Sequence, residues 1–254
     1  NRIGIKYDIS ANQSFTFFWE NETTNNLSTE TLSESNLSAL SGSKNTYGLK
    51  ILINKLDYKY NPRKGFILDI ETKSGIKTLE GAKENNKIII PVYETSDMVF
   101  SLFAPESSMI YETKIKIEGY VPLWKVISLK LANNSGFKLN NYLLDNDLFR
   151  LGGFQLLRGF DQQSIFVSNY SIFTSEFKVL LEENSFLNIF FDQAIMEKST
   201  MIENSLNQSY AMGVGFNFET KPGIFSISYA LGKFKDTNFN LSSAKIHFGF
   251  INLF

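Results

Sequence analysis

The segment Leu151-Gly152-Gly153-Phe154-Gln155-Leu156-Leu157-Arg158-Gly159-Phe160 holds the side chain best suited to directed chemistry. Its glycines permit tight bends, and Arg158 stands alone among apolar neighbours. A planar guanidinium on such a tip recognises carboxylates with several hydrogen bonds at once. Carboxylates follow at Glu176 and Asp192, within Ser175-Glu176-Phe177 and Phe190-Phe191-Asp192. Two carboxylates could also serve as general acid and base. Glycosidase chemistry, however, needs them beside a sugar cleft lined with further aromatic and polar groups, and nothing in the sequence marks one. There is no nucleophile elbow, P-loop or metal-ligand spacing. The chain has no cysteine and one histidine, His247, which removes a disulfide framework and makes a thiolate or histidine metal centre untenable. A formal net charge of −1 argues against a nucleic-acid partner, which requires a basic face. No catalytic residue, metal or cofactor is assigned, and His247 reads as a polar residue of an enclosed interior.

The elements that must position these groups are strands. Period-2 alternation dominates the 254 residues, with no 3.6-residue pattern of useful length. It predicts eleven strands, at 3–10, 14–21, 47–57, 64–74, 109–121, 125–133, 172–182, 186–195, 209–219, 223–232 and 244–254. Phe225, Ile227, Tyr229 and Leu231 share one face, with Ser226, Ser228 and Ala230 opposite. The connections run short, long, short, long without exception, the long ones being 22–46, 75–108, 134–171, 196–208 and 233–243. Short turns at one end and long loops at the other are the rhythm of an outer-membrane barrel. All five prolines fall in connections or at strand ends, as ladder hydrogen bonding requires.

Composition agrees. There are 24 Phe and 11 Tyr, yet mean hydropathy is only −0.12, the balance of strands with lipid on one side and water on the other. No apolar run approaches the roughly 20 residues of a spanning helix. The Asn- and Ser-rich segments 22–46 and 134–146 read as solvated loops, and the sequons at Asn21, Asn26 and Asn36 as composition rather than glycosylation. Residues 1–20 carry no signal peptide, so Asn1 is expected to lie inside a longer gene product. Eleven is odd where bacterial single-chain barrels have an even count. Residues 1–254 are therefore expected to be the C-terminal part of one barrel domain, with upstream strands and periplasmic domains outside it.

Five features, in order, resemble the BamA–TamA family of outer-membrane assembly barrels over nearly the whole chain. Asn61-Pro62-Arg63-Lys64-Gly65 is similar to the family's periplasmic turn, with Pro62 and Gly65 as its marks, although an ordinary hairpin turn would also account for it. Gly152 and Gly153 followed by Leu157, Arg158, Gly159 and Phe160 resemble its lumen-inserted loop. Glu176 and Asp192 match the acidic partners that the loop arginine meets in the family. The ending Lys245-Ile246-His247-Phe248-Gly249-Phe250-Ile251-Asn252-Leu253-Phe254 resembles the barrel-targeting signal at His247, Gly249 and Phe254, and departs from it at Asn252.

Parity supports this placement. Phe177, Val179 and Leu181 form an apolar face, so Glu176 and Lys178 point inward. Asp192 stands opposite Leu187, Ile189 and Phe191, which also turns Phe190 inward. A specific Arg158–Glu176–Asp192 cluster and a solvated, porin-like charged lumen both remain open.

The resemblance implies an antiparallel transmembrane β-barrel of roughly 16 strands in the bacterial outer membrane, with POTRA repeats upstream. It implies insertion of outer-membrane proteins, or translocation of a polypeptide, without ATP or cofactor. Its partners would be outer-membrane lipids and lipopolysaccharide, unfolded outer-membrane clients, and accessory lipoproteins or periplasmic proteins. Two alternatives stay open: a barrel that anchors an upstream patatin-like lipase or phosphatase domain, and a passive porin or receptor.

Overall fold

The computed structural model describes residues 1–24, 41–81, 83–85, 87–94 and 97–252. Its strands, in chain order, are β1 (Arg2–Ser10), β2 (Gln13–Thr24), β3 (Gly42–Leu56), β4 (Gly65–Leu79), β5 (Lys83–Glu84), β6 (Lys87–Glu94), β7 (Asp97–Pro105) and β8 (Ser107–Pro122). They continue with β9 (Ile127–Leu139), β10 (Phe149–Leu151), β11 (Ile165–Val167), β12 (Asn169–Leu180), β13 (Phe186–Ser199), β14 (Asn204–Thr220), β15 (Gly223–Phe234) and β16 (Lys245–Asn252). Eleven of them form one antiparallel sheet in the order β1-β2-β3-β4-β8-β9-β12-β13-β14-β15-β16. These are the eleven strands read from alternation. The sheet is the wall of a transmembrane β-barrel, and β1 and β16 are its two edges.

Alternation fixes which face each side chain takes. On β12 and β13 the even-numbered residues from Tyr170 to Lys178 and from Phe186 to Met196 are buried against the interior, while Phe173, Phe177, Leu187, Ile189 and Phe191 are exposed outward. The outward belt runs on through Val214, Phe216, Ile227 and Tyr229 to Phe248. The inner face between β1 and β9 carries interleaved charges, including Arg2 on Glu71 (3.0 Å), Lys50 on Asp69 (2.9 Å) and Lys73 on Glu20 (2.7 Å).

The structure corrects several boundaries. Residues 134–146 are not one solvated loop: β9 runs to Leu139, and Leu143 and Leu144 are buried. The 196–208 connection shrinks to residues 200–203, shorter than the 57–64 turn, so the strict short–long rhythm breaks there. The cause is physical. Some 9–11 tilted residues cross a bilayer, whereas β8 has 16 and β14 has 17. Along these extensions the ladder continues, while polar residues interrupt the apolar outer face that makes a strand readable. There Asn133 and Ser135 bond to Ser171 across β9 and β12 (3.0 Å each).

The 75–108 connection likewise folds into the three-stranded sheet β5-β6-β7, and the 134–171 connection holds the hairpin β10-β11. Asn26 and Asn36 lie outside the described residues, as does most of 22–46.

Candidate functional site

Segment 140–168 leaves β9, makes a 3-10 turn at Asp145–Asp147, and folds inside the barrel between β10 and β11. Apolar burial holds it there. Leu151 and Leu157 are fully buried among Phe149, Val167 and the inward Tyr170, Ile172, Ala194 and Met196 of β12 and β13. Each such leucine contributes about 1.5–3 kcal/mol. Gly152 and Gly153 lie at φ of 105° and 98°, a turn conformation that L side chains resist. The Gly153 N–H then bonds the Leu157 carbonyl (3.0 Å), closing the turn below Arg158.

Arg158 enters a square of inward side chains. In register, Thr174 faces Asp192 and Glu176 faces Phe190, so the two carboxylates stand on a diagonal. Arg158 Nε and Nη2 donate to Asp192 Oδ2 (2.9 Å) and Oδ1 (2.8 Å), and Nη1 donates to Glu176 Oε2 (3.0 Å). Thr174 Oγ1 donates to Asp192 Oδ1 (2.8 Å). Asp192 is 0% exposed and Glu176 7%. The guanidinium carbon lies 3.4 Å from the centre of the Phe190 ring. An inward phenylalanine in a polar lumen is thus the platform on which the cation stacks. Both carboxylates are taken up by the arginine, an arrangement for fastening a loop rather than for moving protons. Phe190→Leu is expected to cost about 1–2 kcal/mol of barrel stability. The denaturant midpoint would report it, and the loss should shrink in an Arg158→Ala background.

The same loop touches the last two strands. Gly159, at φ 81°, sits on Gly232 of β15, so that a Cβ would come within 2.6 Å of the Gly232 nitrogen. The Gly159 N–H donates to Nε2 of His247 on β16 (3.2 Å). Asp161 pairs with Lys245 (2.7 Å). Phe160 packs edge-on to Phe234 (5.3 Å between centroids), and the Phe154 ring covers the inner side of Gly249. His247 and Gly249, singled out as a C-terminal signal, therefore meet the Arg158 loop. Phe254 lies outside the described residues.

Pro62 and Gly65 belong to a different end of the barrel. Pro62 is buried in the 57–64 turn, and Gly65 opens β4. Asp57 Oδ1 accepts from the Arg63 and Lys64 N–H groups (3.0 and 3.1 Å). The turn reaches the distant 181–185 turn, where Asn61 Nδ2 donates to the Glu183 carbonyl (3.0 Å) and Asn184 Nδ2 to the Tyr58 hydroxyl (3.2 Å). Between this floor and the Arg158 loop lies a cavity of about 1030 Å³, lined by Tyr60, Lys116, Arg158, Lys178, Asn188 and Gly249 among others. Among the described residues, no group of three or more His, Asp or Glu side chains is placed to hold a metal.

An antiparallel membrane barrel wall with a loop ion-paired inside its lumen defines the class. The chain belongs to the Omp85 superfamily, whose domain matches residues 2–252. It is similar to a solved structure, the crystal structure of BamA from Haemophilus ducreyi lacking POTRA domains 1-3, at 14% identity and a TM-score of 0.63. That likeness covers 98% of this chain and 52% of the BamA chain, so this chain spans about half the length of the structure it matches. No curated protein matches significantly.

Proposed function

We propose that the chain forms the C-terminal part of an outer-membrane barrel of roughly 16 strands that inserts outer-membrane proteins or passes a polypeptide across the membrane. The observation that carries this reading is the Arg158 loop, held on β12 and β13 while its tip rests on β15 and β16. A passive pore needs a constriction, but not a loop that reports on its last strand. In the proposed mechanism the edge of β16 opens laterally, and an incoming strand pairs with it by β-augmentation. No ATP or cofactor takes part, and the energy comes from the client's own strand pairing and burial. Gly249, which has no side chain, lets the last strand bend as it parts. The Arg158 cluster braces the wall meanwhile.

The exposed belt from Phe177 to Phe248 would face lipid, with lipopolysaccharide in the outer leaflet. Periplasmic POTRA domains and accessory lipoproteins would deliver clients. The barrel segment itself has no catalytic role in this reading. Depleting the full-length protein from its host should lower the amount of folded, heat-modifiable outer-membrane proteins and raise their unfolded precursors. An unchanged outer-membrane profile after depletion would defeat the proposal.

A further inference from the structure

The Arg158 loop carries a second buried charge, of opposite sign, at the other end of its path. Asp147 closes the 3-10 turn and is 2% exposed. Its carboxylate pairs with Lys44 of β3 (2.8 Å) and Lys77 of β4, and it accepts the Leu144 N–H (2.9 Å). Lys138 of β9 donates to the Asp147 backbone carbonyl, and Lys77 also donates to the Tyr142 carbonyl (2.8 Å). Burial alone would push the Asp147 carboxyl up, yet the ammonium groups of Lys44 and Lys77 outweigh it and hold the group below the ordinary carboxylate range. Leu144 beside it is buried against Leu79, Ile88 and Ala104, which joins the turn to β4 and to the small β5-β6-β7 sheet.

Charge is therefore reciprocal along the loop. An acid on its stem is held by lysines of β3 and β4, and a base near its tip by acids of β12 and β13. Those strands lie on either side of the point where the loop leaves the sheet. We propose that Asp147 is a positioning residue for Arg158: it fixes the loop stem to the β3–β4 wall, so that the loop spans the lumen as a chord and Arg158 stays seated on Glu176 and Asp192. A movement of β3 and β4 is then felt at Arg158, and release of Arg158 is felt at β3 and β4. This inference rests on the reading of the Arg158 cluster as the seat of the loop.

The test reads the seat directly, without recourse to assembly activity. Arg150 and Arg158 are the trypsin-cleavable residues between 139 and 168. In an Arg150→Gln background, cleavage after Arg158 in the full-length protein in its native membrane reports how often that residue leaves its carboxylates. Asp147→Asn should speed this cleavage about tenfold, as expected when local opening becomes easier by one decade in its equilibrium. Asp147→Glu should return it to the parental rate, which a merely space-filling role would not require. Asp192→Asn, which weakens the seat itself, is the positive control and should also cut faster.

A parental rate in Asp147→Asn beside a raised rate in Asp192→Asn overturns the inference and leaves the Arg158 reading intact. Parental rates in both overturn the two together. Should Asp147→Asn not assemble, Lys44→Gln removes one ammonium while Lys77 and Lys138 remain. Its rate should be raised too, and a parental rate there overturns the inference.

Discussion

Asp192→Ala is expected to lower barrel stability by about 3–5 kcal/mol, because it strands a buried guanidinium. Asp192 takes two of the three ionic hydrogen bonds that Arg158 makes, and it accepts a third contact from Thr174. Glu176 would then face the cation alone through a single bond of 3.0 Å. Among the described residues, Arg158 has ion pairs to Glu176 and Asp192 only, and the Phe190 ring stacked on the guanidinium cannot replace the lost carboxylate. Urea unfolding of the purified barrel in lipid vesicles would measure the loss. The pairing has a sharper signature than the single mutant. Arg158→Ala and Asp192→Ala together should cost clearly less than the sum of the two alone, since residues in one network couple. Additive losses would show that the two side chains contribute independently and that the lumen is only a solvated charged surface.

Gly159→Val should release the loop tip from β15 and β16. The residue sits at φ 81°, where an L side chain costs about 1–3 kcal/mol in backbone strain alone. Its Cβ would also press within 2.6 Å of the Gly232 backbone nitrogen, and backbone yields less readily than a side chain. Relief requires the tip to lift, which breaks the bond to His247 and separates Phe160 from Phe234. The chain has no native cysteine, so His247→Cys, which itself gives up the Gly159 N–H bond but leaves the tip on Gly232 and Phe234, supplies a single reporter within which Gly159→Val is compared. Modification of that cysteine by a soluble maleimide should accelerate by about tenfold in the Gly159→Val protein if contact opening is cheapened by one decade. An unchanged rate would mean that the tip does not cover the last strand in the membrane.

Much of this architecture is written locally. Where lipid touches one face of a strand, the apolar–polar alternation is strong, and the turns between Ser10 and Gln13 and between Thr220 and Gly223 fall at alternation breaks. The same parity turns Glu176, Phe190 and Asp192 inward. Along the extensions of β9 and β14 the alternation is interrupted by polar runs such as Asn133-Asn134-Ser135 and Asn207-Gln208-Ser209, so the order of residues marks no strand there. The inward apolar patch of Ile172, Ala194 and Met196 was equally hard to read, since a polar interior was the expectation for a barrel. Its signal was present as a change of pattern: inward residues turn apolar at the level where the loop enters.

By itself, the amino-acid order determined the strand count of the wall, the face each side chain takes, and an arginine-bearing glycine turn. These follow from steric period, glycine freedom and the cost of exposing polar groups to lipid, all of which act over a few residues. Only the tertiary structure decided the pairings. With 25 cationic and 26 acidic side chains, sequence alone offers Asp147 and His247 no preferred partner. The path of the chain brings Asp147 to Lys44, about a hundred residues earlier, and the Gly159 N–H to His247, 88 residues later. Charge attraction has little directional code, so its partners are chosen by the apolar packing that carries the loop inside and by the register of the strands that receive it.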